Sequence, residues 1–336
     1  NQKRIGRKTT FPNTWTLSSN RGLMSEMFAK GEKTNMKKLF LIFSVIVSFL
    51  GCKSSTPKNN QIRIFVSILP QKYFVQEITP DNIEIEVMVK PGQSPATYEP
   101  TPKQMAKLSD AEIYFSIGVP FEKSFLPKLE EINPNLQIIH TDKNIKKRQM
   151  DSFYKIKKRF TDQIKESRYS HKHRDKADPH IWLSPKLVKR QIQTMEAAII
   201  DENIFSKSKI KEKTQNFINK LTELQQYADQ KLQNLDKKRF LVFHPSWGYL
   251  ADEFELIQIP IQIEGKSPTT KELSTIIDFA KKEDIKVIFV QKQFSSQEAQ
   301  VVANEIGGKV IRIDPLSVDY IKNLKKIIDI FNKTLR

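Results

Sequence analysis

Cysteine is nearly absent from this chain, since Cys52 is the one cysteine among 336 residues. A single cysteine excludes an internal disulfide, the bond on which many small exported proteins depend. The folded state must therefore take its stability from a hydrophobic core. A chain of this length can build such a core, either as one large domain or as two of medium size.

Long apolar runs are missing as well. The most apolar stretch, residues 39–50, is shorter than the roughly 20 residues that a membrane-spanning helix needs. It follows Met36 and two lysines, and it ends at Gly51 and Cys52, which is the order of a secretory signal. Residues 36–52 are therefore predicted to be a signal peptide.

The end of this signal resembles a bacterial lipobox, with Phe49 where leucine is usual. Two interpretations stay open: Cys52 is lipidated and becomes the mature N-terminus, or the signal is an ordinary one and its cysteine is incidental. We favour lipidation, because Cys52 lies where the anchor must be. Residues 53–60 then read as a flexible tether.

Residues 1–35 do not begin with methionine and show no apolar periodicity. A signal peptide does not work behind a long polar extension. We expect translation to start at Met36 and interpret residues 1–35 as an upstream artefact.

Motifs that would indicate other functions are also absent. The net charge of +18 is spread along the chain, without the basic stripe and interleaved aromatics of a nucleic-acid interface. No HExxH-type motif, heptad run or internal repeat occurs. These absences argue against a nucleic-acid partner and against a metalloprotease.

Strand-like and helix-like segments alternate from residue 62 to the end, which predicts parallel α/β sheets. We predict strands at 62–68, 83–89, 112–117, 137–140, 239–244, 258–263, 286–291 and 309–313. Helices are predicted at 71–78, 103–109, 121–132, 186–200, 206–235, 247–254, 270–283, 296–306 and 321–335. Residues 143–178 are rich in lysine and arginine and are predicted to form a basic surface loop.

Three residues with metal-binding side chains follow predicted strands or lie in loops: His180, His244 and Asp314. His244 and Asp314 fall at carboxyl ends of strands, where open α/β sheets bind ligands. Two imidazoles and one carboxylate make a donor set that suits a divalent cation. Taken singly, each of these residues is more often structural.

The chain from about residue 62 to 335 resembles the metal-binding cluster of ABC-transporter solute-binding proteins, the zinc- and manganese-uptake lipoproteins. The matching segments are PGQSPATYEPTPKQMAKLSDAEIYFSIG (91–118), DPHIWLSP (178–185), VFHPSWGYLADEFEL (242–256) and KVIFVQKQFSSQEAQVVANEIGGKVIRIDPLS (286–317). The resemblance implies two α/β lobes joined by a long rigid helix, with a metal cleft between them. It divides the chain into an N-terminal lobe (61–184), a linking helix (185–203) and a C-terminal lobe (204–336).

The resemblance also implies that His180, His244 and Asp314 are metal ligands. The first ligand of the family is missing, because the motif Pro-His-x-Tyr-Glu-Pro reads Pro-Ala-Thr-Tyr-Glu-Pro here and Ala96 replaces the histidine. Three outcomes stay open: a water completes a three-ligand site, a donor such as His171 or His173 arrives from the basic loop, or metal binding is lost. We favour the first, because zinc accepts three protein ligands and a water.

His244 favours zinc over manganese, because imidazole suits zinc and the manganese members tend to carry glutamate there. Asp178, Glu99 and Glu264 are candidates to orient the histidines. We therefore expect a lipid-anchored, extracytoplasmic monomer that is not an enzyme and delivers Zn²⁺, or Mn²⁺, to an ABC permease in the membrane. The alternatives are a surface adhesin without a metal and, less favoured, a zinc hydrolase.

Overall fold

The computed structural model describes residues 62–81, 83–160, 176–203 and 205–336, and Gln61–Arg336 forms one compact unit. The signal peptide, the lipidation of Cys52 and the tether lie outside the described residues. So do the two histidines of the basic loop, His171 and His173.

The described residues form two parallel sheets of four strands each, with the orders β2-β1-β3-β4 and β6-β5-β7-β8. The strands are β1 (Arg63–Val66), β2 (Glu84–Val87), β3 (Ile113–Ser116), β4 (Gln137–His140), β5 (Arg239–Val242), β6 (Ile257–Pro260), β7 (Val287–Gln291) and β8 (Lys309–Ile313). Each predicted strand is present, and the predicted fold class is confirmed.

Helices precede, connect and follow these strands. They are α1 (Leu69–Ile78), α2 (Pro102–Leu108), α3 (Glu122–Ile132), α4 (Phe153–Phe160), α5 (Pro185–Asp201), α6 (Lys207–Leu232), α7 (Gly248–Glu253), α8 (Thr270–Lys282), α9 (Gln297–Glu305) and α10 (Tyr320–Leu335), with a 3₁₀ turn at Ile181–Leu183. Within the described ranges, none of these helices combines the length and apolarity that a membrane span requires.

The central strands are apolar because both faces of each sheet are covered. Every residue of β3 and β7 is buried, as expected for parallel strands between layers of helices. In each sheet the carboxyl ends of the strands lie along one edge, and the loops that leave this edge build the site described below.

The chain passes from the first sheet to the second through α5 and α6. Pro185 begins α5, and the side chain of Ser184 caps it by accepting a hydrogen bond from the Leu187 N–H. Helix α6 packs against α5, α1 and α10, so it contacts elements from both halves of the chain. The division at residues 61–184, 185–203 and 204–336 stays a prediction.

Part of the predicted loop at 143–178 is helical in the structure, and residues 161–175 of that loop lie outside the described residues. Residues Phe153–Phe160 form helix α4, with Phe153 and Ile156 buried. These side chains join the core of the second sheet, where the rings of Phe153 and Phe279 meet edge to face at 5.7 Å. The apolar side chains at 153, 156 and 160 repeat with helical spacing, and the lysines between them hid that pattern.

Candidate metal centre

A cavity of about 540 Å³ lies at the carboxyl ends of strands from both sheets. From the first half of the chain it is lined by Ala96, which follows β2, and by Gly118, which follows β3. From the second half it is lined by His244 after β5 and by Gln291, the last residue of β7. The predicted cleft between the two sheets is therefore present.

His180 and His244 meet at this cavity. Their ring centroids are 5.2 Å apart and the rings are nearly perpendicular, at 70°. They are 64 residues apart in the chain and come from different kinds of segment. His180 precedes the 3₁₀ turn, and His244 follows β5. The structure thus brings together two of the three predicted ligands.

Asp178 orients the ring of His180. Its Oδ1 accepts a hydrogen bond from His180 Nδ1 at 2.7 Å and another from the His180 backbone N–H at 3.0 Å. Burial opposes ionisation of this carboxyl. The pKa of Asp178 nevertheless lies below its usual value, because His180 and Arg148 place positive charge and donors beside it. Since the carboxylate holds Nδ1 of His180, Nε2 is the ring nitrogen left for a metal, as in most metal-binding histidines.

Arg148 binds the other oxygen of the same carboxylate. Its Nη1 lies 3.1 Å from Asp178 Oδ2, and the guanidinium also contacts Asp151 at 3.0 Å and Asp252 at 2.7 Å. Gly248 makes room for it, because a Cβ there would overlap Arg148 Nη1. Arg148 therefore ties the segment before α4 to α7 and to the residue that orients His180.

Gln262 orients the ring of His244, whose Nδ1 donates to Gln262 Oε1 at 2.8 Å. Gln291 holds the backbone of His244, donating to its carbonyl and accepting from its N–H at 3.3 Å. The ring of Phe294 stacks on the imidazole at 5.1 Å. Burial, with the nearby His180, lowers the pKa of His244 to about 4. This ring is therefore neutral at neutral pH and does not have to lose a proton before it binds a metal.

Asp314 begins the loop after β8, but its carboxylate is engaged elsewhere. Oδ2 lies 3.3 Å from Lys292 Nζ, and Oδ1 accepts the backbone N–H of Leu316 at 2.9 Å. Among the described residues, no group of three histidine, cysteine, aspartate or glutamate side chains has the geometry to hold a metal ion. A ligand role for His180, His244 and Asp314 stays a prediction.

Other residues complete the surroundings of the site. Ala96 lines the cavity, and its methyl side chain offers no donor atom. Trp182 and Trp247 are buried, and Trp182 Nε1 donates to Pro315 O at 2.7 Å, which ties the His180 segment to the Asp314 loop. Of the candidates to orient the histidines, Asp178 is confirmed.

Sequence reasoning missed the roles of Arg148 and Gln262. Arg148 stands in a run of basic residues in which nothing distinguishes it, and the three carboxylates that it contacts are dispersed along the chain. Gln262 carried a weak signal, since it follows β6 at the same sheet edge as His244.

Comparison with known proteins places the chain among metal-uptake proteins. The family described as zinc-uptake complex component A, periplasmic, matches residues 64–334. The zinc uptake protein ZnuA of Bacillus subtilis is 24% identical over 289 residues, which cover 81% of this chain and 85% of that protein. The zinc-binding protein AdcA of Streptococcus pyogenes is 24% identical over 318 residues, which cover 88% of this chain and 59% of that protein.

The solved structures agree with the sequence match. A crystal structure of ZnuA has a TM-score of 0.74 and 36% sequence identity, and the alignment covers 82% of this chain and all of the other. All residues that line the cavity, from Ser94 to Leu316, lie inside the region that the family matches.

Proposed function

Because the chain belongs to the zinc-uptake complex component A family, we propose that it captures zinc outside the cytoplasm and delivers it to a membrane permease. The function is binding and transfer of a cargo ion. It requires a site that holds Zn²⁺ specifically and exposes it again on contact with the permease.

The observation that carries this proposal is the pair of imidazoles at the cavity. The ring centroids of His180 and His244 are 5.2 Å apart. Asp178 accepts a hydrogen bond from Nδ1 of His180, and Gln262 accepts one from Nδ1 of His244. The Nε2 atom of each ring is then the nitrogen that is left to bind a metal. Zinc takes imidazole nitrogen at about 2.0–2.1 Å and readily combines it with oxygen donors. Two oriented imidazoles therefore favour zinc over harder ions such as Mg²⁺.

Asp314 supplies the third ligand in this proposal. In the sheet order, β7 separates β5 from β8, so His244 and Asp314 stand about 10 Å apart along the edge, two strand spacings. An imidazole and a carboxylate can share one ion across such a distance. On binding zinc, the carboxylate of Asp314 would give up its ion pair with Lys292. This costs little free energy, because Lys292 is 65% exposed and exposed ion pairs are weak.

Chemical catalysis has no support from the arrangement. Each histidine Nδ1 is committed to an acceptor that orients its ring, and the carboxylate of Asp178 is shared between His180 and Arg148. The relatives are transporter components by name. We therefore propose that the chain is a monomeric binding protein and not an enzyme. Lipidation of Cys52 would keep it at the membrane beside its permease.

Zinc titration of the purified chain by calorimetry tests the proposal, with His244→Ala beside the wild type. We expect one zinc per chain for the wild type and a loss of about 100-fold or more in affinity for the variant, because one of two strong donors is removed. The exposed His140, whose Nδ1 contacts Ser116 Oγ, provides the matched control. His140→Ala should bind zinc as the wild type does.

Ala96→Gln and Ala96→His extend the same titration to the missing ligand. Restoring an imidazole at 96 should tighten zinc binding, whereas an amide, a poor zinc ligand, should not. Wild type that takes up no zinc would contradict the function itself. Equal affinities for wild type and His244→Ala would place the zinc elsewhere.

A further inference from the structure

The cavity beside the two histidines is much larger than a zinc ion needs. Its volume is about 540 Å³, whereas one water takes roughly 30 Å³ of liquid. Cavities of about 300–1,000 Å³ are typical of sites for small organic molecules. The space next to His180 and His244 therefore suits an ion together with a small molecule.

The protein leaves part of the zinc coordination unfilled. Zinc prefers four ligands, and His180, His244 and Asp314 supply three at most under the proposed function. Ala96, which contributes only a methyl group, forms part of the wall. A donor atom of a bound small molecule can therefore occupy the open coordination position beside Ala96.

The charges around the cavity disfavour a bare dication. Lys123 and Lys176 both line it, and among the described residues neither of them forms an ion pair. Asp314, the nearest acidic candidate ligand, is itself paired with Lys292. Both lysines are exposed at the wall. Their ammonium groups repel a bare Zn²⁺, whereas a carboxylate bound beside the ion would be attracted by the lysines and by the ion.

Both lysines are carried by ordered backbone. Lys123 lies in the first turn of α3, and its N–H donates to Pro120 O at 3.3 Å. Lys176 lies beside the extended segment that contains Arg148. The backbone carbonyl of Lys176 accepts a hydrogen bond from the Met150 N–H at 2.9 Å. One lysine thus lies on α3 and the other in the segment that leads to His180.

Much of the remaining wall is apolar. Pro95, Val119, Phe294 and Leu316 contribute to this part, and polar side chains such as Ser246 and Gln293 interrupt it. The apolar part accepts the carbon skeleton of a small molecule. The cavity therefore combines metal donors, cationic groups and apolar surface.

We infer that the cavity takes zinc as a complex with a small carboxylate-bearing chelator. One donor of the chelator completes the coordination near Ala96, and its remaining carboxylates pair with Lys123 and Lys176. The inference rests on the proposed function, because His180 and His244 hold the zinc in both.

Equilibrium dialysis with zinc and radiolabelled citrate tests this inference. If the site takes bare zinc, citrate should compete for the metal as a chelator and lower the amount of zinc bound to the protein. If the site takes zinc together with a chelator, citrate should be retained with the zinc, one per ion, and should not be retained when zinc is left out. Succinate, a weaker chelator, should be retained less.

Variants separate the contributions of the side chains. The double variant Lys123→Ala, Lys176→Ala should keep zinc but bind citrate about tenfold more weakly, while Lys128→Ala, an exposed lysine on α3 outside the cavity wall, should match the wild type. Ala96→His should bind zinc without retaining citrate, because the imidazole takes the open position.

Three outcomes overturn the inference. If zinc is retained and citrate only competes with it, the chelator is not part of the cargo and the proposed zinc-binding function stands. If the double lysine variant retains citrate as well as the wild type does, Lys123 and Lys176 do not hold the chelator and the site inferred here is wrong. If zinc is not retained under any condition, the proposed function fails as well.

Discussion

At the scale of single residues, the two histidines differ in how they are held. His180 donates to a buried carboxylate, Asp178, whereas His244 donates to a neutral amide, Gln262. A carboxylate acceptor raises the basicity of the imidazole more than an amide does, so His180 is the stronger donor to a metal. Arg148 supports this arrangement, because it binds the second oxygen of Asp178.

Removing Arg148 should therefore weaken zinc binding although the residue does not touch the ion. We expect Arg148→Ala to lower zinc affinity about 10- to 100-fold, the usual effect of losing a partner that orients a ligand. Arg148→Lys should recover little, because one ammonium cannot contact Asp151, Asp178 and Asp252 together. Calorimetric titration measures this, and Arg190→Ala, at an exposed arginine of α5, is the control. Unchanged affinity in a folded Arg148→Ala protein would rule out the positioning role.

Glu122 is a buried acid in the first turn of α3. Burial raises its pKa to about 7, although hydrogen bonds from Ser67, Ile117 and Gly118 favour the ionised form. The folded chain therefore binds this proton more tightly than the unfolded chain, in which a glutamate titrates near 4.5. Between these two pKa values the folded state holds more protons, so the contribution of Glu122 to stability falls as the pH rises.

Glu122→Gln should remove this dependence on pH. Relative to the variant, the wild type should lose up to about 3 kcal/mol of unfolding free energy between pH 4 and pH 8, since each unit of pKa shift corresponds to about 1.36 kcal/mol. Urea unfolding of both proteins across this range gives the difference. Glu130→Gln, at an exposed position of α3, should run parallel to the wild type. Parallel curves for Glu122→Gln would show that Glu122 ionises at its ordinary pKa in the fold.

At the scale of elements, hydrophobic pattern predicted most of the fold. The strands gave clear signals because both faces of a parallel sheet are covered, so segments such as β3 and β7 are apolar at every position or nearly so. Helix α4 was missed because its buried side chains are separated by lysines, and the pattern extends over barely two turns.

Helix α4 should contribute measurably to stability. Phe153 is 1% exposed and packs against Phe279. Phe153→Ala should lower the unfolding free energy by about 3–5 kcal/mol, because it removes a fully buried ring and leaves a cavity. Denaturant unfolding measures the loss, and Lys158→Ala on the exposed face should change stability by less than about 0.5 kcal/mol. A loss below about 1 kcal/mol for Phe153→Ala would mean that α4 is only loosely attached.

The candidate site was predictable in position but not in its supporting contacts. His244 and Asp314 follow β5 and β8, and the topology of parallel sheets places such residues at one edge. His180 lies in a loop away from the strand ends, so its side-chain type alone made it a candidate, and the resemblance of the segment around it strengthened that prediction. The side chains that orient the rings depend on distant parts of the chain coming together, as Gln262 and His244 do across neighbouring strands, and a local pattern does not contain that information.

At the scale of the whole molecule, two parallel sheets contribute their carboxyl edges to one cavity, and α6 contacts helices from both halves of the chain. This arrangement suits a protein that binds and releases a cargo, because most of the wall consists of loops while the sheets behind it are packed. The central claim at this scale is that side chains from separate loops converge on one zinc ion.

Anomalous diffraction at the zinc absorption edge, from crystals of the chain grown with one equivalent of zinc, tests this claim most directly. The account predicts a single strong peak about 2.0–2.1 Å from a ring nitrogen of His180 and of His244, with a carboxylate oxygen of Asp314 at about 2.0–2.2 Å in place of its contact with Lys292. A peak bound to other residues, or no peak in crystals of a folded protein, would contradict it.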